Sequence, residues 1–322
     1  MNMKDILSKI EVFRDLSSSS VRIGDVPIVS TNNKDFDYNE VGITEFEEVI
    51  LTFLKGVRNN FSQEVLTVFF NNLKDLKIEK KDKTLLGSSA TYNAREKVIT
   101  IAGDNYTEDI YHELFHVASS FVQDDTVYSG FFQGSYKRNK TIGRGLTEGY
   151  TQLLAERYFG DVTKKYYAYE IYVSKILEKI VGKDLMEKQY INANLPGLIN
   201  ELAKYSSKED IICFLNNLDF VVKYRYPKSI KLVKHDVLLK VFKNITCFLI
   251  KVYVKKLVSH VNNEGDYQLF NERICLFVNS LYLDFDSFGV NFEIMTISDV
   301  YEYINICLRN ENMLLISEGT GR

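Results

Sequence analysis

Apolar positions along this chain follow two different periods, and the change between them marks its organisation. From Gln63 to Leu73 they recur every three to four residues, the spacing of one face of a helix. Leu76 to Lys80 then alternates apolar and charged, and Ala90 to Tyr92, the turn formers Asn93-Ala94, and Lys97 to Ala102 read as a hairpin. The helical period returns from Tyr106 to Phe121, with Ile110, Leu114, Val117 and Phe121 as its buried stripe. Asn105 and Glu108 give that helix a capping box, and Asp109 suits its positive end. A second helix follows the glycine-bearing loop at Gly143 and ends near Gly160, with Leu146, Tyr150, Leu153, Leu154 and Tyr158 as apolar surface. From Val162 onward the pattern stays helical nearly to the end. Tyr167, Ile171, Tyr172, Ile176, Leu177 and Ile180 form one stripe, Val233 to His260 carries a longer one, and Pro196 opens a further helix.

These elements predict an α+β fold, a small twisted sheet with one prominent helix followed by a mainly helical C-terminal lobe. The expected divisions are an N-terminal helix and loop over residues 1–42, a core over 43–161 and the helical lobe over 162–322. A chain of 322 residues with 45% apolar content is ample for two lobes. Met1 to Leu16 is interrupted by Lys4, Asp5, Lys9, Glu11, Arg14 and Asp15, and no apolar run reaches the roughly 18 residues of a membrane span. A cytosolic protein is therefore expected. The net charge of −3 argues against a polyanion partner, and the basic clusters Lys228 to Lys234 and Lys251 to Lys256 read as solvated faces, so neither nucleic acid nor membrane is expected as a partner. Cys213, Cys247, Cys275 and Cys307 lie among Ile, Phe and Leu and read as buried free thiols, not as a disulfide framework.

One stretch carries chemistry: His112-Glu113-Leu114-Phe115-His116. Residues four apart on a helix project from one face, so both imidazoles can reach one Zn²⁺ while the glutamate stands at the metal's open side. With four histidines in the chain, a shuffled sequence is expected to hold about 0.003 such matches. His112 and His116 are thus candidate metal ligands, and Glu113 is the candidate general base toward a metal-bound water. His235 and His260 lack comparable neighbours and read as bystanders.

A third protein ligand is needed. Position 119 is Ser and position 122 is Val, so the Gly and third His of a metzincin are absent and a carboxylate must serve. Thr147 reads as the N-cap of the second helix, which places Glu148 in its first turn, and Glu148, Gln152 and Glu156 recur every four residues as a polar stripe. Glu148 is the candidate ligand, with Asp124, Asp125 and Glu156 as alternatives.

HELFH followed by Thr147-Glu148-Gly149-Tyr150-Thr151-Gln152 resembles the gluzincin zinc metallopeptidases, the thermolysin-like enzymes and their compact relatives, over roughly Val65 to Gly160. That resemblance implies peptide or protein substrates, Zn²⁺ held by His112, His116 and Glu148, and Gln152 in the place of an aspartate that holds a histidine ligand. It also implies that the strand Val98 to Ile101 is an edge strand pairing with extended substrate. The interval between His116 and Glu148 is longer than in thermolysin-like enzymes. Tyr136, Arg144 and Tyr150 are candidate donors to the oxyanion. The alternatives to a peptidase are a catalytically idle, zinc-containing binding module and a non-peptidase metallohydrolase.

Overall fold

The computed structural model describes residues 43–57, 60–81, 90–102, 107–135, 137, 140–160, 167–224, 233–261, 266–287 and 290–311. The extension expected over 1–42 lies outside them, as do Asn105, Tyr106 and Tyr136. Helices α1 (Ile43–Val57) and α2 (Gln63–Lys74) come first, and Ser62 caps α2 by accepting from the Val65 amide at 3.4 Å. Strands β1 (Lys77–Lys81), β2 (Ala90–Asn93) and β3 (Val98–Ala102) form a sheet in the order β1-β3-β2. The β2–β3 hairpin agrees with the sequence pattern, and Asn93 Oδ1 holds its turn by accepting from the Arg95 and Glu96 amides at 3.1 and 3.3 Å. Strand β3, however, is central and not an edge. It pairs parallel with β1 and antiparallel with β2, and Ile99 and Ile101 are fully buried. Local periodicity sees the hairpin and is blind to the parallel partner that occupies the other edge.

Helix α3 (Thr107–Ala118) buries Ile110, Leu114 and Val117 as expected, but it stops before Phe121. The buried Asn72 of α2 explains the stop: its Nδ2 donates to Val117 O at 2.8 Å and to Ser120 O at 2.7 Å, so one amide serves the last helical turn and the start of the next strand. Phe121 lies on β4 (Ser120–Gln123), exposed and stacked on Tyr128 of β5 (Thr126–Ser129) at 4.7 Å. With β6 (Phe132–Ser135) and β7 (Lys140–Ile142) these form a second sheet, β4-β5-β6-β7. Asp124 and Asp125, φ 47° and 66°, make the β4–β5 turn in the left-handed region that short-chain Asp tolerates. At the β5–β6 turn Gly130 has φ +57°, and a Cβ there would strike the Tyr190 ring. Phe131, next in that turn, is buried against Tyr150 and Tyr190.

The rest is helical apart from one hairpin: α4 (Arg144–Phe159), α5 (Ala168–Val181), α6 (Lys183–Ile191), α7 (Leu195–Leu202), α8 (Lys208–Lys223), α9 (His235–Val258), α10 (Asp266–Asn279), β8 (Asp284–Ser287), β9 (Val290–Glu293) and α11 (Ile297–Asn310). The fold is α+β, with small sheets and a mainly helical C-terminal region. Pro196 sits at the second position of α7, and α9 matches the long stripe expected there. No helix among the described residues is long and apolar enough to cross a membrane.

The chain divides into two compact units that interleave in sequence. One comprises residues 1–141, 150–167 and 187–195, and the other 142–149, 168–186 and 196–322. The first is centred on an aromatic cluster, Phe53 lying 5.0 Å from Phe115 and 5.5 Å from Phe159. In the second, Phe214 stacks on Phe248 of α9 at 4.4 Å, and Tyr169 and Phe285 pack on Phe242. The four cysteines are free, but only Cys307 is buried and Cys213 is exposed. Cys213 falls on the outer face of α8 because Ile211, Phe214, Leu215 and Leu218 take the inner one.

Candidate metal centre

Helix α3 brings its two histidines together at their tips. His112 Nε2 and His116 Nε2 are 3.1 Å apart, and Glu113 between them is 8% exposed. Glu148, on α4, joins them: one ligand atom from each of His112, His116 and Glu148 lies within 4.8 Å of the others. Among the described residues no other group of three His, Cys, Asp or Glu donors converges in this way. Asp124 and Asp125 are spent on the hairpin turn, where Asp125 pairs with Lys137, and Glu156 is outside the group.

Thr147 is not the N-cap of α4. The helix starts at Arg144, and Thr147 lies in its first turn with Oγ1 donating to Gly143 O at 2.9 Å, so Glu148 opens the second turn. The cap comes from far along the chain: the Asp219 carboxylate of α8 accepts from the Gly143 amide at 3.0 Å and the Gly145 amide at 2.8 Å. Burial pushes Asp219 up to about 6, against the lowering effect of those amide bonds and of Arg144. Gly145 and Gly149 then permit close packing along one side of α4. A Cβ on Gly145 would sit 2.5 Å from Leu218 O, and one on Gly149 would sit 2.4 Å from the Glu170 carbonyl carbon. Arg144 is exposed, with Nε 3.8 Å from Glu148 Oε1.

Each histidine is held from behind. Gln152, buried on α4, places Oε1 3.0 Å from His112 Nδ1, as the Glu148-to-Gln152 spacing predicts. Ser129 of β5, which sequence reasoning missed, places Oγ 3.2 Å from His116 Nδ1. Tyr167 lies with its ring nearly parallel to His112 at 5.7 Å and has φ 62°, a costly conformation for a tyrosine. Tyr92 of β2 lies near enough to Glu113 to feel its charge; burial first, and that charge in addition, push the phenol up to about 12. No sequence pattern marks Ser129, Tyr92 or Tyr167, because each reaches the site through strand pairing or a loop. Tyr150 is fully buried between Phe131 and Tyr190, which removes it as an oxyanion donor.

The chain matches no family model, no curated protein and no solved structure. Two imidazole nitrogens bound to one tetrahedral zinc at about 2.0 to 2.1 Å stand roughly 3.3 Å apart, within a few tenths of the separation found. Two neutral nitrogens and one carboxylate are the donor types of an open zinc site. Nδ1–H bonds to Gln152 and Ser129 would leave both Nε2 lone pairs facing the same point.

Proposed function

We propose that this chain is a zinc-dependent peptidase of gluzincin type, with His112, His116 and Glu148 as metal ligands and Glu113 as general base. The observation that carries the proposal is the convergence of those three ligand atoms beside the buried Glu113. Bound zinc would supply a polarised substrate carbonyl and a water whose pKa falls to about 7. Glu113 would be the group that accepts a proton from such a water and gives it to the leaving amine. Gln152 and Ser129 keep the imidazoles pointed at the metal, and Arg144 stands beside Glu148. Among the described residues Arg144, beside Glu148, and Tyr92, which keeps its proton at neutral pH, are the candidate donors to the developing oxyanion. An extended substrate would join β2, which has no second strand neighbour among the described residues and carries Tyr92.

The test is zinc content and peptide cleavage on the purified chain. Glu113→Gln should keep zinc and fold yet lose cleavage by orders of magnitude, while His112→Ala should lose both. If the zinc-loaded chain shows no Glu113-dependent cleavage of a broad peptide library, it is a zinc-containing binding module and not a peptidase.

A further inference from the structure

Tyr167 holds a backbone conformation that its residue type disfavours. Its φ is 62°, in the left-handed region, where a Cβ crowds the backbone and Gly, Asn and Asp are the residues at ease. Elsewhere among the described residues the chain meets positive φ with Gly130, Gly143, Gly160 and Gly182, with the two acids of the β4–β5 turn, and with Lys97 and Ala193; Tyr167 is the one aromatic residue in that set. Helical spacing assigns position 167 to the stripe of α5, yet α5 begins at Ala168, and the residue that leads into a helix ordinarily has extended backbone. What the left-handed turn achieves is the placement of a ring. The Tyr167 and His112 rings are 9° from parallel with centroids 5.7 Å apart, an offset stack. Gln152 Oε1 meets the same imidazole at its edge, 3.0 Å from Nδ1, so different side chains hold its edge and its face.

We propose that Tyr167 is a positioning residue for His112: its ring clamps the face of the imidazole so that the ring stays aimed at the ion, and the strained backbone is kept because it is the conformation that delivers the clamp. The proposal rests on the metal assignment above. The two restraints oppose different motions. A contact at Nδ1 anchors one point of the imidazole and leaves it able to tilt about that point, whereas a flat ring against its face blocks the tilt. Strain of this kind persists where the surrounding structure over-determines it, and it gathers at functional sites. Asparagine at 167 would relax the turn and lose the ring, while phenylalanine would keep both ring and strain. The clamp needs the aromatic face and not the hydroxyl. Losing a group that orients a metal-binding histidine weakens the metal by about 10 to 100-fold, and a contact on one face belongs at the lower end.

Three variants of the full chain, Tyr167→Phe, Tyr167→Asn and Tyr167→Ala, separate the ring from the backbone. Zinc affinity is read by competition with a chromophoric chelator, and stability by thermal unfolding after EDTA dialysis. Tyr167→Phe should bind zinc as the parent does, and the two variants without a ring should bind it about 10-fold more weakly. In the metal-free chain Tyr167→Asn should melt a few degrees above Tyr167→Ala, because asparagine tolerates the left-handed turn and alanine does not. A ring with only a structural role would change melting and leave zinc affinity alone, so Tyr167→Asn with the parent's affinity overturns the proposal. Tyr167→Phe with the weakened affinity of the asparagine variant also overturns it, by giving the role to the hydroxyl. Equal melting of the asparagine and alanine variants would refute the strained turn on which the clamp depends. A parent chain that takes up no zinc fails the metal assignment itself, and this proposal with it; a parent that binds zinc and ring-less variants that bind it equally well fail this proposal alone.

Discussion

Helices α3 and α4 bring His112, His116 and Glu148 to one point, but the side chains are put there by different means. In α3 both histidines and Glu113 lie within five consecutive residues, and the 3.6-residue turn alone fixes their relation. In α4 the position of Glu148 depends on groups remote in sequence: Asp219 caps the helix, Leu218 and Glu170 press on its glycines, and Gln152 grips His112 from α3. The first half of the site is local chemistry, and the second is tertiary structure.

The largest effect expected is at Glu148, the metal ligand proposed on α4. Glu148→Ala should weaken zinc binding by more than the 10 to 100-fold that loss of a partner behind a ligand brings, whereas Glu156→Ala should keep it. Elemental analysis after gel filtration checks this, and the reverse pattern would hand the ligand role to Glu156.

A smaller effect concerns the remote cap. Folding raises Asp219 from the ordinary 3.8 to about 6, so the neutral carboxyl is the form the fold favours. Its contribution to stability is complete below pH 3.8 and is lost as the pH rises through about 6, amounting at most to about 3 kcal/mol. Urea unfolding of the parent and of Asp219→Asn should therefore give a stability difference that drifts in favour of the variant between pH 4 and 7. A difference independent of pH would show that Asp219 titrates alike in both states.

How much of this was legible in the sequence follows the same line. The HELFH motif, the β2–β3 hairpin, Gln152 behind His112 and the long stripe of α9 all follow from spacings inside one element or between neighbours. The central place of β3, the end of α3, the true start of α4 and the role of Ser129 do not, because each is decided by a partner distant in sequence: β1, Asn72, Asp219 and strand β5. The hairpin β8–β9 was also missed, its two four-residue strands being too short to stand out from a helical background.

The smallest expected effect measures one of those corrections. The helical period places Phe121 in the core, but it is exposed on β4 and stacks on Tyr128. Phe121→Ala should cost about 1 kcal/mol in chemical denaturation, against the roughly 3 to 5 kcal/mol of a buried Phe→Ala change. A core-sized loss would mean that β4 is covered in solution.

Asn72 sets a time scale as well as a boundary. A helix end usually frays because its last carbonyls have no fixed partner, and fraying lets solvent reach the final turn many times before the protein unfolds. With Val117 and Ser120 both tied to one buried amide, that breathing is suppressed at the end of α3 nearest His116. The amides of this last turn should therefore exchange more slowly than those of an uncapped helix end. A helix end held in this way keeps the His112–His116 pair in register whether or not the rest of the surface moves.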